Sequence, residues 1–137
     1  ILSPTMMTKT LDVYTDGSFN GKQASWAFIV IENDKVIFQN RGVLDGDINS
    51  MYQIGGEIKA AENAVLWAKE FGYKIVINYD YTGVENWGRG LWKTKNPHTE
   101  AYKEFMLKHK EYINSFVKIK SHSNNLFNDM VDQLAKI

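Results

Sequence analysis

Between Ser25 and Glu32 the chain reads SWAFIVIE, apolar at nearly every position. A strand without a polar face belongs in the middle of a sheet. Its neighbours read accordingly. Leu11–Ser18 alternates Leu11, Val13 and Thr15 with Asp12, Tyr14 and Asp16, then meets the turn signal Asp16-Gly17. After the turn Asn33-Asp34, Lys35–Gly42 is a third strand. Connections this short imply an antiparallel meander.

Leu44–Tyr52 reads as loop, after which Gly55-Gly56 opens a long helix over Glu57–Phe71. Its buried stripe is Ile58, Ala61, Val65 and Ala68, and Gly72 stops it. Lys74–Tyr79 is a fourth strand, ending at Asp80. A crossover helix places that strand parallel, with a right-handed connection. A short helix over Tyr81–Trp87 breaks at Gly88-Arg89-Gly90, and a basic loop, Leu91–Asn96, follows. Pro97 begins a helix to about Lys110, with Tyr102, Phe105 and Met106 inward. Phe116–Ile119 is a short fifth strand, Ser121–Asn125 a polar loop, and Leu126–Lys136 a final helix. The order β-β-β-α-β-α-α-β-α predicts an α/β fold. Its five-stranded mixed sheet, three antiparallel strands then two parallel ones, is flanked by helices.

A chain of 137 residues suits one domain, taken as residues 9–137. Residues 1–8 show no periodicity and read as a linker, with Met6 or Met7 a candidate native start. No run of eighteen apolar residues is present, so we expect no membrane span, and no secretory signal is visible. We expect a cytoplasmic monomer. With no cysteine, disulfides and thiolate metal sites are excluded. Net charge is zero, yet Arg89, Lys93, Lys95, Lys103, Lys108, Lys110, Lys118 and Lys120 face only Glu100, Glu104 and Glu111 in the same stretch. A neutral protein can present one basic face to a polyanion, although solvated lysines on a surface helix give the same composition.

Ligand sites in open α/β sheets lie beyond the carboxyl ends of parallel strands. Asp16 falls near the end of the first strand and Asp80 directly after the fourth. Glu57, in the first turn of the long helix, and Asp132, inside the last, can approach the same edge. Each has an ordinary explanation: a hairpin turn for Asp16, a favourable helix N-terminal charge for Glu57, a cap for Asp80, a solvated position for Asp132. Four converging carboxylates, however, need a compensating partner. Two Mg²⁺ ions, hard cations that take oxygen ligands, balance four negative charges. Such a pair, about 3.5–4 Å apart, activates a water on one side of a phosphodiester and steadies the leaving oxygen on the other.

These residues resemble the ribonuclease H type 1 family. The resemblance rests on Tyr14-Thr15-Asp16-Gly17-Ser18, on Gly56-Glu57-Ile58-Lys59-Ala60-Ala61, on Asp80 after an apolar strand, and on His122 ten residues before Asp132 in Asn128–Ala135. It implies an RNase H-like fold and hydrolysis of the RNA strand of an RNA–DNA hybrid, leaving 5′-phosphate and 3′-hydroxyl ends. It further implies that Asp16, Glu57, Asp80 and Asp132 hold Mg²⁺, with Mn²⁺ a substitute, and that His122 assists proton transfer or product departure. His98 and His109 match nothing in that pattern and are expected to be exposed.

Gly17, Ser18, Asn20, Gln53 and Gly55 are candidates for reading 2′-hydroxyls, although the family usually has Asn where Gln53 stands. Trp92, Lys93, Thr94 and Asn20 are candidates for the DNA strand, with Trp87 read as core. Some relatives carry an extra basic helix after the fourth strand. Here eleven residues separate Asp80 from Trp92, too few for it. Hybrid binding is then expected to be weaker and more salt-sensitive, unless an N-terminal hybrid-binding domain, attached at residues 1–8, supplies affinity. Two other readings stay open: a nuclease of the same fold acting on DNA, and a non-catalytic nucleic-acid-binding module.

Overall fold

The computed structural model describes residues 9–120 and 123–137. Five strands, β1 (Lys9–Phe19), β2 (Ala24–Glu32), β3 (Lys35–Val43), β4 (Tyr73–Tyr79) and β5 (Ile113–Lys118), form one sheet in the order β3-β2-β1-β4-β5. The first three run antiparallel, and β4 and β5 continue parallel to β1. The helices are α1 (Tyr52–Phe71), α2 (Gly83–Gly88), α3 (Pro97–Lys108) and α4 (Leu126–Ala135). The mixed α/β architecture expected from the element order is the one observed. The β2–β3 turn places Asn33 and Asp34 at positive φ, 52° and 61°. Those are the residue types that tolerate left-handed backbone in a tight hairpin.

Period-2 alternation divides the core. Leu11 and Val13 of β1, with Phe28 and Val30 of β2, pack against Ile58, Ala61, Val65 and Ala68 of α1 and against Tyr102 and Met106 of α3. On the opposite face Ala27, Ile29 and Ile31 of β2 meet Val131 and Ala135 of α4, with Tyr14 and Phe127 at the margin. β2 contributes to both clusters, which is why its sequence has no polar side. By the same alternation Asp16 lies on the α4 face and Gly17 on the α1 face.

Several sequence boundaries move for physical reasons. Asp16-Gly17 does not turn: β1 continues to Phe19, with Asp16 opposite Ala27 and Gly17 opposite Trp26. The bend falls at Asn20, whose Oδ1 accepts from the amides of Lys22 (2.9 Å) and Gln23 (2.8 Å). The stretch read as loop contains a 3₁₀ turn, Gly46–Met51, and α1 starts at Tyr52, not Glu57. Gly55 and Gly56 lie within the helix because it comes very close to the sheet. A Cβ at Gly56 would lie 2.0 Å from the Ser25 carbonyl oxygen, and one at Gly55 2.8 Å from Leu44 Cδ2. β5 begins at Ile113, earlier than its apolar run suggests, and is followed by Ile119, whose amide donates to the Tyr79 carbonyl at 2.7 Å.

Candidate acidic active site

β1 and β4 place two of the acids. Their parallel pairing ends with Tyr14 beside Asn78, and two residues further on Asp16 and Asp80 are level. α1 supplies the third. Glu57 is its sixth residue, in the second turn rather than the first, so its carboxylate is not the helix N-terminal charge that sequence alone allowed. A Cβ at Gly17 would lie 2.2 Å from the Glu57 nitrogen. The missing side chain lets α1 settle onto β1 until Glu57 meets Asp16. α4 brings the fourth, Asp132, from the other face.

The Gly17 amide donates to Asp16 Oδ1 at 2.9 Å and to Glu57 Oε1 at 3.1 Å. Both carboxylates are buried, at 7% and 5% exposure. Glu57 Oε2 is also buried and has no hydrogen-bond partner among the described residues. Burial pushes Asp16 up to about 6; Asp132 beside it adds to the rise, while hydrogen bonds from Glu57 and the Gly17 amide oppose it. Burial likewise raises Glu57 well above the usual carboxylate range, followed by its contact with Asp16 and, more weakly, by the charge of Asp80. Burial and then Glu57 raise the Tyr81 phenol. Asp16 and Glu57 thus form an inner pair, with Asp132 adjoining the one and Asp80 within electrostatic reach of the other.

Asp80 and Asp132 are about half exposed and line a cleft of about 400 Å³ with Ser123, Asn125, Asn128 and Asp129. Lys118 Nζ lies 3.7 Å from Asp80 and Lys136 Nζ 3.2 Å from Asp132. Exposed ion pairs of this kind are weak and leave the buried pair uncompensated. Sequence reasoning counted Lys118 only within the basic stretch and gave Lys136 and Asp129 no role, since nothing in their spacing distinguishes them from solvated charges. Among the described residues, no group of three or more acids or histidines is already closed into a cage that can hold a metal ion. The donor set nevertheless fits a hard divalent cation: all oxygen, excess negative charge, and one buried oxygen without a partner. Such ions keep several waters and do not need a closed protein cage.

The other candidates are placed as follows. Gly17 and Ser18 lie on β1 beside the acids, and the Gly17 amide is occupied by Asp16 and Glu57. Asn20 is exposed; its side chain closes the β1–β2 turn, and Nδ2 reaches the Ile137 carbonyl at 3.5 Å. Gln53 is exposed on the first turn of α1. Gly55 is buried against Leu44 and the Ile48 carbonyl, a packing position rather than a surface for substrate.

Trp92 is 40% exposed, edge-on to the partly buried Trp87, and lines a second cleft of about 550 Å³ with Lys93, Lys95 and Asn96. Thr94 Oγ1 donates to Glu100. Among the described residues, no long helix intervenes between α2 and α3. His122 lies outside the described residues. The remaining histidines correct the expectation of exposure. His109 is buried, stacked on Phe105 at 4.1 Å with Nδ1 2.7 Å from the Phe105 carbonyl. His98 is half-buried, with Nε2 2.7 Å from Asp47 Oδ2.

A mixed five-stranded sheet in this order, helices on both faces and acids at the carboxyl edge of its central parallel pair, defines an α/β domain of the ribonuclease H-like class. The chain matches the RNase H family over residues 8–137 and belongs to that family. It is 27% identical to a ribonuclease H of Chlorobium luteolum over 142 aligned positions, 95% of each chain. The ribonuclease H1 of the halophilic archaeon Halobacterium salinarum superposes with a TM-score of 0.72 at 17% identity, over 93% of this chain and 97% of that one. A ribonuclease H domain from Desulfitobacterium hafniense, solved in its holo form, is 41% identical with a TM-score of 0.59, over 93% of this chain and 87% of that one.

Proposed function

We propose that this ribonuclease H-family domain is an endonuclease that hydrolyses the RNA strand of RNA–DNA hybrids with divalent metal ions, leaving 5′-phosphate and 3′-hydroxyl ends. The observation that carries the reading is the inner pair: Asp16 and Glu57 buried against one amide, with Glu57 Oε2 unpartnered among the described residues. Burying like charges costs several kcal/mol unless a cation or a proton offsets it. Mg²⁺, with Mn²⁺ as a substitute, would be held by Asp16, Glu57, Asp80 and Asp132. When bound, two such ions supply activation of a water and charge relief at the leaving oxygen.

The chain's own residues do the remaining work. β1 and β4 hold Asp16 and Asp80 on rigid backbone. Gly17, through its amide, orients the inner pair. Ser18 and Gln53 border the acids on the side where 2′-hydroxyls would be read. Trp92, Lys93 and Thr94 offer an aromatic surface and positive charge to the DNA strand's backbone. His122, ten residues before Asp132, would move a proton or assist product departure.

The testing experiment offers hybrid, duplex DNA and duplex RNA in Mg²⁺, with and without chelator. Cleavage confined to the RNA strand of the hybrid and lost with chelator is the expected result. Preferential cutting of duplex DNA, or retention of hybrid without hydrolysis, would overturn the reading.

A further inference from the structure

Asp132 is the one acid of the four carried by an element outside the α1–β1–β4 unit. α4 rests on the sheet through apolar surfaces, Val131 and Ala135 on Ala27, Ile29 and Ile31, with Phe127 against Tyr14 at the margin. Such packing is non-directional and sets poorly how far the helix sits along its own axis. Hydrogen bonds are directional, and one buried bond fixes that position. Ser25 Oγ donates to the Ala135 carbonyl at 2.5 Å, joining residues 110 apart in sequence. Ala135 ends α4, so its carbonyl has no partner within the helix. Arg41 Nη1, 3.4 Å from the Leu134 carbonyl, is a longer and exposed second tie.

Ser25 also meets the rest of the site. It is 2% exposed and pairs across the β1–β2 ladder with Ser18, two residues beyond Asp16. Its carbonyl oxygen is the atom that a Cβ at Gly56, the residue before Glu57, would strike at 2.0 Å. One residue therefore adjoins β1 two residues beyond Asp16, α1 one residue before Glu57 and α4 three residues beyond Asp132. α4 moves as a rigid rod, so a slip at Ala135 becomes an equal displacement of Asp132. Metal sites tolerate only a few tenths of an ångström in ligand position.

We propose that Ser25 is a positioning residue for the metal site, its hydroxyl fixing Asp132 against Asp16 and Glu57. The inference rests on the nuclease reading above. It is tested by calorimetric titration of Mg²⁺ into the full chain, for the wild type and for Ser25→Ala, Ser25→Cys and Ser25→Thr, with melting temperatures recorded alongside. The cysteine variant keeps the volume of the site, should the alanine variant fold poorly. Alanine and cysteine are expected to weaken Mg²⁺ binding about three- to tenfold, less than the roughly 10–100-fold lost when a direct outer partner of a metal ligand is removed, because Ser25 acts through the helix and not on Asp132 itself. Threonine, which keeps the hydroxyl, is expected to restore it to within about twofold. Wild-type affinity in the alanine and cysteine variants overturns the inference and leaves the nuclease reading standing. Weakening in all three variants marks Ser25 as packing only and also overturns it. A wild-type chain that binds no Mg²⁺ removes the nuclease reading, and this inference with it.

Discussion

Asp16 and Glu57, 41 residues apart in sequence, accept hydrogen bonds from one backbone amide, that of Gly17, at 2.9 and 3.1 Å. A single donor shared between two buried carboxylates cannot satisfy both when both are ionised. Burial therefore pushes both above the usual carboxylate range in the protein without metal.

That arrangement fixes a pH dependence of stability. Both groups have folded-state values above their ordinary ones of 3.8 and 4.5, Asp16 reaching about 6 and Glu57 raised well above its own. A group of this kind contributes stability that is fully present below the unfolded value and lost as pH rises through the folded one. Chelated protein is expected to be more stable near pH 5 than near pH 7.5, by on the order of 2 kcal/mol. Added Mg²⁺ should recover the loss at the higher pH. Thermal melts at both pH values, with and without Mg²⁺, measure it; a chelated protein that gains stability across that interval contradicts the arrangement.

Asp80 is half exposed, with Lys118 Nζ 3.7 Å away. Asp80→Asn should therefore leave folding within about 0.5 kcal/mol of the wild type. Hybrid cleavage is expected to fall by a factor of 100 or more through lost metal coordination, with hybrid binding largely retained. Cleavage and filter-binding assays run together separate the two effects.

Gly17 and Gly56 serve the contact between α1 and the sheet. Ala at either position puts a methyl 2.2 Å from the Glu57 nitrogen or 2.0 Å from the Ser25 carbonyl oxygen, both rigid backbone atoms. Each substitution is expected to destabilise by about 3 kcal/mol or more, beyond ordinary overpacking because backbone cannot rotate aside. Ala at Gly21, where nothing lies within 4 Å of the added carbon but φ is +97°, should cost only about 1 kcal/mol. Denaturant titrations of the three variants give the ranking.

Trp92 presents a ring to solvent beside Lys93 and Lys95. Trp92→Ala is expected to raise KM for hybrid about tenfold with kcat nearly unchanged, the signature of binding lost equally from ground and transition states. Replacing Lys93 by Ala should reduce the slope of log affinity against log salt by about one. An unchanged KM for Trp92→Ala would assign that ring to packing against Trp87.

Strand and helix order, the antiparallel-to-parallel switch and the core stripe of α1 were legible in the sequence. Alternation and the 3.6-residue period are direct consequences of burying one face. What misled was local chemistry read without its surroundings. Asp16-Gly17 has the dipeptide of a hairpin turn, yet it continues a strand because the turn is closed four residues later by Asn20. Gly55-Gly56 has the composition of a helix boundary, yet lies inside α1 because β2 approaches too closely for side chains. His109 is polar and unmatched by any motif, yet buried, because Phe105 supplies both a stacking face and an acceptor.

Sequence by itself marked out four acids, Asp16, Glu57, Asp80 and Asp132, as candidates for one edge of the sheet, since the order of strands and helices lets their elements reach it. Only the tertiary structure decided that two of them would be buried on one amide and the other two left half in water. That division depends on how closely α1 descends onto β1 at a residue with no side chain, and on where α4 stops along its axis. Both are set by contacts between residues distant in the chain, and no local pattern encodes them.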